Sequence, residues 1–197
     1  MCNGIKKYLC LLFVTILTAC SIHPPLEIAQ LPTSIEFERA TYQQIRLDNL
    51  GKVIRAVYRP LSPSLQAKDR YIEIFQDLQQ DFAKTDPYFV QRKALRQRTF
   101  TQNQLQYFAL MVQHQQLLGF VLYPPIPQSL NYQVDVFRGE NKESCGFLQI
   151  QYSQIFPLSA LKGKTEQQLF QQFIQQVAKP KLLALSKISI LWRCYAR

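Results

Sequence analysis

The segment Leu130 to Tyr152, LNYQVDVFRGENKESCGFLQIQY, constrains the fold more than any other stretch of the chain. Apolar side chains recur at every second position: Tyr132, Val134 and Val136 before a polar stretch, then Leu148, Ile150 and Tyr152 after it. Successive strand residues point to opposite faces, so this is the pattern of a hairpin with one buried face and its tip at Gly139 to Lys142. A hairpin alone is marginal in water and needs further strands and a covering layer.

The flanks supply candidates for both. SIEFERATYQQIRL (34–47) and KVIRAVYRPL (52–61) are rich in β-branched and aromatic residues and are separated by the turn signal DNLG. LQYFALMVQ (105–113) and LLGFVLYPPI (117–126) read as two more strands, turning near His114. Between these pairs, Tyr71, Ile74, Phe75, Leu78 and Phe82 recur at helical spacing. Ser64 is placed to cap the start and Asp86-Pro87 to stop the end, which predicts a helix over about 64–84. Thr165 and Gln168 form a capping-box pair ahead of Leu169, Phe170, Phe173, Ile174 and Val177, predicting a second helix over 165–179 that Pro180 ends. Residues 88–100 fit a short helix or an edge strand. Ile188, Ile190, Trp192 and Cys194 alternate as a closing strand. The expected class is α+β, an antiparallel or mixed sheet of about six or seven strands with two packed helices.

The N-terminus has a different layout. A basic start, MCNGIKK, leads into the apolar run YLCLLFVTILTA and then Cys20. At about 12 residues the run is short for a membrane span, which needs roughly 20. Leu17-Thr18-Ala19-Cys20 resembles the lipobox of bacterial lipoproteins. The resemblance covers only the first 20 or so residues. It implies a signal peptide over 1–19, lipidation of Cys20, and several acyl chains acting together as a stable membrane anchor. By the sorting rule of that class, Ser21 after the cysteine points to the outer membrane, with the folded part facing the periplasm or displayed on the cell surface. Residues 20–34 then form a lipidated, proline-rich tether, and 35–197 a single globular domain.

Five cysteines are present. Cys2 and Cys10 would leave with the signal and Cys20 would carry lipid. Cys145 and Cys194 remain, as a disulfide in an oxidising compartment or as two buried thiols. Without Lys6 and Lys7, 21 basic residues stand against 13 acidic ones, an excess that favours anionic partners. The densest basic cluster is Arg92, Lys93, Arg96 and Arg98, a candidate surface for such a partner or an ordinary solvated face.

Catalytic signatures are thin. Two histidines, His23 and His114, do not make a multi-histidine metal site, and neither a GxSxG motif nor a phosphate-binding glycine loop occurs. The pairs Glu140 with Glu143 and Asp77 with Asp81 read as solvated carboxylates; a Cys145 with His114 nucleophile pair competes with the disulfide. No cofactor and no metal are expected. The function expected is a lipid-anchored, non-catalytic binding or accessory module. Its partner would be an envelope protein, lipopolysaccharide or peptidoglycan, not nucleic acid. The alternatives are a surface-displayed binding lipoprotein and an envelope hydrolase or transferase whose site forms only on folding.

Overall fold

A computed structural model describes residues 28–61, 69–78, 86–142, 145–188 and 193–195. Its centre is one eight-stranded, fully antiparallel sheet. The strands are β2 (Ser34–Phe37), β3 (Ala40–Asn49), β4 (Val53–Pro60), β5 (Arg70–Asp77), β6 (Phe108–Gln113), β7 (Gln116–Tyr123), β8 (Asn131–Lys142) and β9 (Gly146–Pro157), in the spatial order β2-β3-β4-β5-β9-β8-β7-β6. A small second sheet pairs β1 (Ile28–Gln30) with β10 (Arg193–Tyr195). The class is mixed α and β as expected, with more strands in the main sheet than the six or seven counted from the sequence.

The long hairpin is β8–β9, in continuous register from Asn131↔Pro157 to Lys142↔Gly146. Gly139 to Lys142 therefore lies within β8 instead of forming the tip. Tyr132, Val134, Val136, Ile150 and Tyr152 face one core together with Ile72, Ile74, Ala56 and Tyr58. A helical rod of α2 (Glu166–Phe173), a π-turn (Ile174–Ala178) and α3 (Lys179–Ser186) covers this face, inserting Leu169, Phe170, Phe173, Val177 and Leu185. The Thr165–Gln168 capping box forms with both of its hydrogen bonds. Pro180 does not end the rod. Lys179 N–H bonds back to Ile174 O, five residues earlier, and this widened turn just ahead of Pro180 accommodates a residue with no N–H to give. The rod ends at Ser186, where Arg138 donates to Ser186 O at 3.2 Å and Ile188 O at 3.1 Å, a cation at the negative end of the helix.

The helix expected over 64–84 is not formed where the structure describes it: Arg70–Asp77 is β5, a central strand. Ile72 and Ile74 enter the first core while Tyr71, Glu73, Phe75 and Asp77 face the other side, which is also covered. A strand buried on both faces loses its period-two signature, and its apolar residues then fit helical spacing by chance. Residues 62–68 and 79–85 lie outside the described residues. Asp86-Pro87 begins a helix instead of stopping one, since proline is well tolerated in a first turn. That helix, α1 (Asp86–Gln102), resolves the ambiguity at 88–100 and packs on the second face through Phe89 and Phe100.

The stretch read as one strand from Ser34 to Leu47 is two, joined at Glu38 (φ 50°) and Arg39 (φ 64°). His114 (φ 49°) and Gln115 (φ 57°) make the corresponding turn between β6 and β7, where the sequence placed it. Both are two-residue turns with successive positive φ, the geometry that suits the twist of a hairpin, here without the usual Asn-Gly.

The small sheet is tied to the large one by a buried glutamine. Gln76 accepts from Ala29 N–H at 2.9 Å and its Nε2 donates to Cys145 O at 2.8 Å. Ala29 pairs with Cys194 in register and packs with Cys145 and Leu148. The closing strand is thus seen at Arg193–Tyr195; residues 189–192 lie outside the described residues.

Candidate functional site

The second face of the sheet carries the chemistry. Two stacks stand side by side there. Phe137 lies flat over Gly119, its register partner on β7, because glycine leaves no Cβ in the way. Phe147 reaches diagonally over Gly139, whose register partner is Gln149. Arg96 of α1 then sits over the Phe137 ring at 5.2 Å and Arg92 over the Phe147 ring at 3.8 Å. These residues are four apart, one helical turn, so the same face of α1 presents both guanidinium groups to the sheet.

Beneath them runs an oriented chain of hydrogen bonds. Arg96 Nη2 donates to Gln149 Oε1 at 2.8 Å, Gln149 Nε2 to Gln151 Oε1 at 3.2 Å, and Gln151 Nε2 to Asp135 Oδ2 at 2.8 Å. Gln151 Nε2 also reaches Ser153 Oγ at 3.2 Å and Glu73 Oε2 at 3.3 Å. Arg55 Nε donates to Glu73 at 2.8 Å, and Arg92 is ion-paired with Asp77. Gln133 Nε2 donates to Asp135 at 2.8 Å, and Tyr123 and Ser153 also bond to that carboxylate. A buried polar layer is costly unless its members satisfy one another, as Gln149, Gln151, Asp135 and Glu73 do.

Burial raises the Asp135 carboxyl to about 6; hydrogen bonds from Gln133 and Ser153 oppose the rise, and the Glu73 charge adds to it. Burial also lowers Arg96 and pushes the Tyr71 hydroxyl up to about 12. The Asp135 shift makes stability depend on pH. Below about pH 4 the group is protonated in both folded and unfolded chains. Between about 4 and 6 the folded chain holds the proton more tightly, so its contribution to stability falls as pH rises, by about 3 kcal/mol at most, and is level above 6. Comparing urea unfolding of the wild type with Asp135→Asn across pH 4 to 7 measures this. The variant is expected to lose that part of the slope.

A cavity of about 150 Å³ opens beside the chain, lined by Arg92, Arg96, Gln149, Gln151, Asp77 and the apolar Val53, Phe75 and Phe147. A larger groove of about 680 Å³ lies elsewhere, between the edge strand β2 and α3, with Ile35, Phe37, Leu183 and Ile188 among its walls.

The basic cluster is therefore divided by the helix. Arg92 and Arg96 turn to the sheet, Lys93 is half-buried at the side, and Arg98 is exposed. Cys145 is fully buried near Ala29, and His114 stands exposed on its turn. Asp77 is the ion-pair partner of Arg92 and not a solvated helix residue; Asp81 and Glu143, like Cys20 and His23, lie outside the described residues. The polar residues of the layer escape sequence reasoning because Gln149, Gln151 and Ser153 alternate with Leu148, Ile150 and Tyr152, a pattern that reads as the wet face of a strand. Among the described residues no three of His, Cys, Asp or Glu converge as metal ligands, and no helix is long and apolar enough to cross a membrane.

Residues 29–190 match the profile of one protein family, and the chain belongs to that family. An uncharacterized protein of Haemophilus influenzae is 27% identical to it over 155 residues, which is 76% of this chain and 77% of that relative. No solved structure matches.

Proposed function

We propose that this family member is a lipid-anchored, non-catalytic binding module of a bacterial envelope, fixed to the outer membrane through Cys20 and presenting the α1 face to an envelope partner. The observation that carries the binding half is the pair of glycine–phenylalanine–arginine stacks, which hold two cations of the basic segment rigidly beside one cavity. Such preorganisation favours recognition, since little side-chain freedom is left to lose on binding. The hydrolase or transferase alternative has its best foothold in Asp135 and Glu73. Each of them is only 4% exposed and already bonded by neighbours, so neither is presented to a substrate.

The anchor rests on the sequence Leu17-Thr18-Ala19-Cys20. In the same reading Cys145 and Cys194 form a disulfide that fastens the small sheet to β9, supported by the pairing of Cys194 with Ala29 and the packing of Ala29 on Cys145. The intact mass of protein purified from its native membrane tests both. The expected chain begins at Cys20, carries acyl chains and gains two hydrogens on reduction, and Cys20→Ser abolishes the lipid increment. An unmodified chain would sink the anchored reading. A photo-crosslinking residue at Gln91, exposed on α1, is expected to capture one envelope neighbour that the same residue at Gln171 does not.

A further inference from the structure

Arg96 is the unusual member of the polar layer. Arg55 and Arg92 each contact a carboxylate, whereas the Arg96 guanidinium, largely buried, donates one hydrogen bond, to the neutral Gln149, and otherwise rests on the Phe137 and Phe100 rings. No carboxylate lies within ion-pair distance of it among the described residues. Two carboxylates act on it from a distance: Asp135, two amide side chains away at the end of the Gln149–Gln151 relay, and Asp77, which is ion-paired with Arg92. A guanidinium has five N–H donors in a planar fork, and none of the Arg96 nitrogens is both buried and unpaired, so the donors that Gln149 does not take are open to the cavity that Arg96 lines. That cavity, about 150 Å³, has room for a small polar group.

We infer that this cavity is a recognition site for a single carboxylate group of the envelope partner, taken bidentately by Arg96. The inference deepens the binding role proposed above and rests on it. Three features of the cavity select this ligand. A carboxylate is planar and matches the fork of an arginine. Its one negative charge matches the one cation lining this cavity that has no carboxylate in contact, while a doubly charged phosphate would add an excess negative charge beside Asp77. The walls contributed by Val53, Phe75 and Phe147 suit the carbon to which a carboxylate is attached, where a phosphate would require donors on all sides. The Gln149–Gln151 relay orients the Arg96 fork from behind, so the donors are in place before the ligand arrives.

The test uses the full-length protein in detergent, following the Nε–H resonance of Arg96 by NMR while acetate, N-acetyl-alanyl-alanine or the C-terminal amide of that dipeptide is added. The expected result is a saturable shift with both carboxylates and at least a tenfold weaker response to the amide. Ligand-observed binding of the dipeptide should fall at least tenfold in Arg96→Met and change less than twofold in Lys164→Gln, which removes an equal charge at an exposed site beside α2. If acetate and the dipeptide both bind, the group alone is what the site reads; if only the dipeptide binds, the site also reads the flanking peptide, and either supports the proposal. It is overturned if no saturable shift occurs, if acid and amide act alike, if inorganic phosphate binds more tightly at the same resonance, or if the Arg96 and Lys164 variants weaken binding equally. Should Arg96→Met fail to fold, the acid and amide comparison on the wild type still decides. A failure of lipidation at Cys20 would leave this binding intact, and a failure of carboxylate binding would leave the anchor intact.

Discussion

Gly119→Ala is expected to lower stability by about 3 kcal/mol, a change of sign from the usual small gain when a glycine within a strand acquires a side chain. The added methyl would stand 2.6 Å from Cε1 and Cε2 of Phe137, too close for any real contact. The ring has nowhere to retreat, being buried between the β7 backbone on one side and Arg96 on the other. For a domain of this size about 2–4 °C of Tm accompanies each kcal/mol, so thermal unfolding should move down by roughly 6–12 °C. Gly51→Ala is the control, because nothing lies within 4 Å of its added methyl and only its φ of 79° is strained. Phe137→Leu combined with Gly119→Ala should cost less than the sum of the two alone, since a leucine leaves room for the methyl. Additive costs would show that the ring does not require the glycine.

Gln76→Met is expected to cost about 2–6 kcal/mol although it keeps length and volume. The side chain is fully buried and behaves as a fragment of strand, giving one acceptor to Ala29 N–H and one donor to Cys145 O. Methionine replaces both with a thioether, and each buried backbone group left without its partner costs about 1–3 kcal/mol. The damage should be local first. Amide exchange at Ala29 and Cys194 should accelerate more than exchange in β8 or β9, because β1 and β10 form a separate two-stranded sheet held to the main one at this point. Equal acceleration throughout would mean that Gln76 supports the central sheet and not the clasp.

The elements that the sequence located correctly share a property. The β8–β9 hairpin alternates cleanly from Tyr132 to Val136 and from Leu148 to Tyr152, and α2 opens with a capping box whose two bonds are confined to four residues. Each signal is local, and nothing elsewhere in the fold overrides it. The errors share the opposite property. Arg70–Asp77 is covered on one face by the α2–α3 rod and on the other by a polar layer, and that double burial erased the alternation that would have identified β5. Pro180 passes through a helix because of a π-turn that no residue pattern announces. The Glu38-Arg39 turn lacks glycine and asparagine, so β2 and β3 merged into one predicted strand.

The candidate site divides along the same line. Arg92 and Arg96 stand out in the sequence as members of a basic cluster, and their spacing of four is visible once α1 is known to be a helix. Their partners are not visible there. Asp77 comes from β5, Phe147, Gln149 and Gln151 from β9, and Asp135 and Phe137 from β8, segments separated by up to 74 positions from Asp77 to Gln151. Hairpin pairing and helix capping follow from contacts within a few residues or across a short turn, and a linear text records those. Whether a polar residue meets water or an arginine depends on which segment is laid over it, and that is settled only when β5, β9 and β8 become neighbours and α1 crosses them.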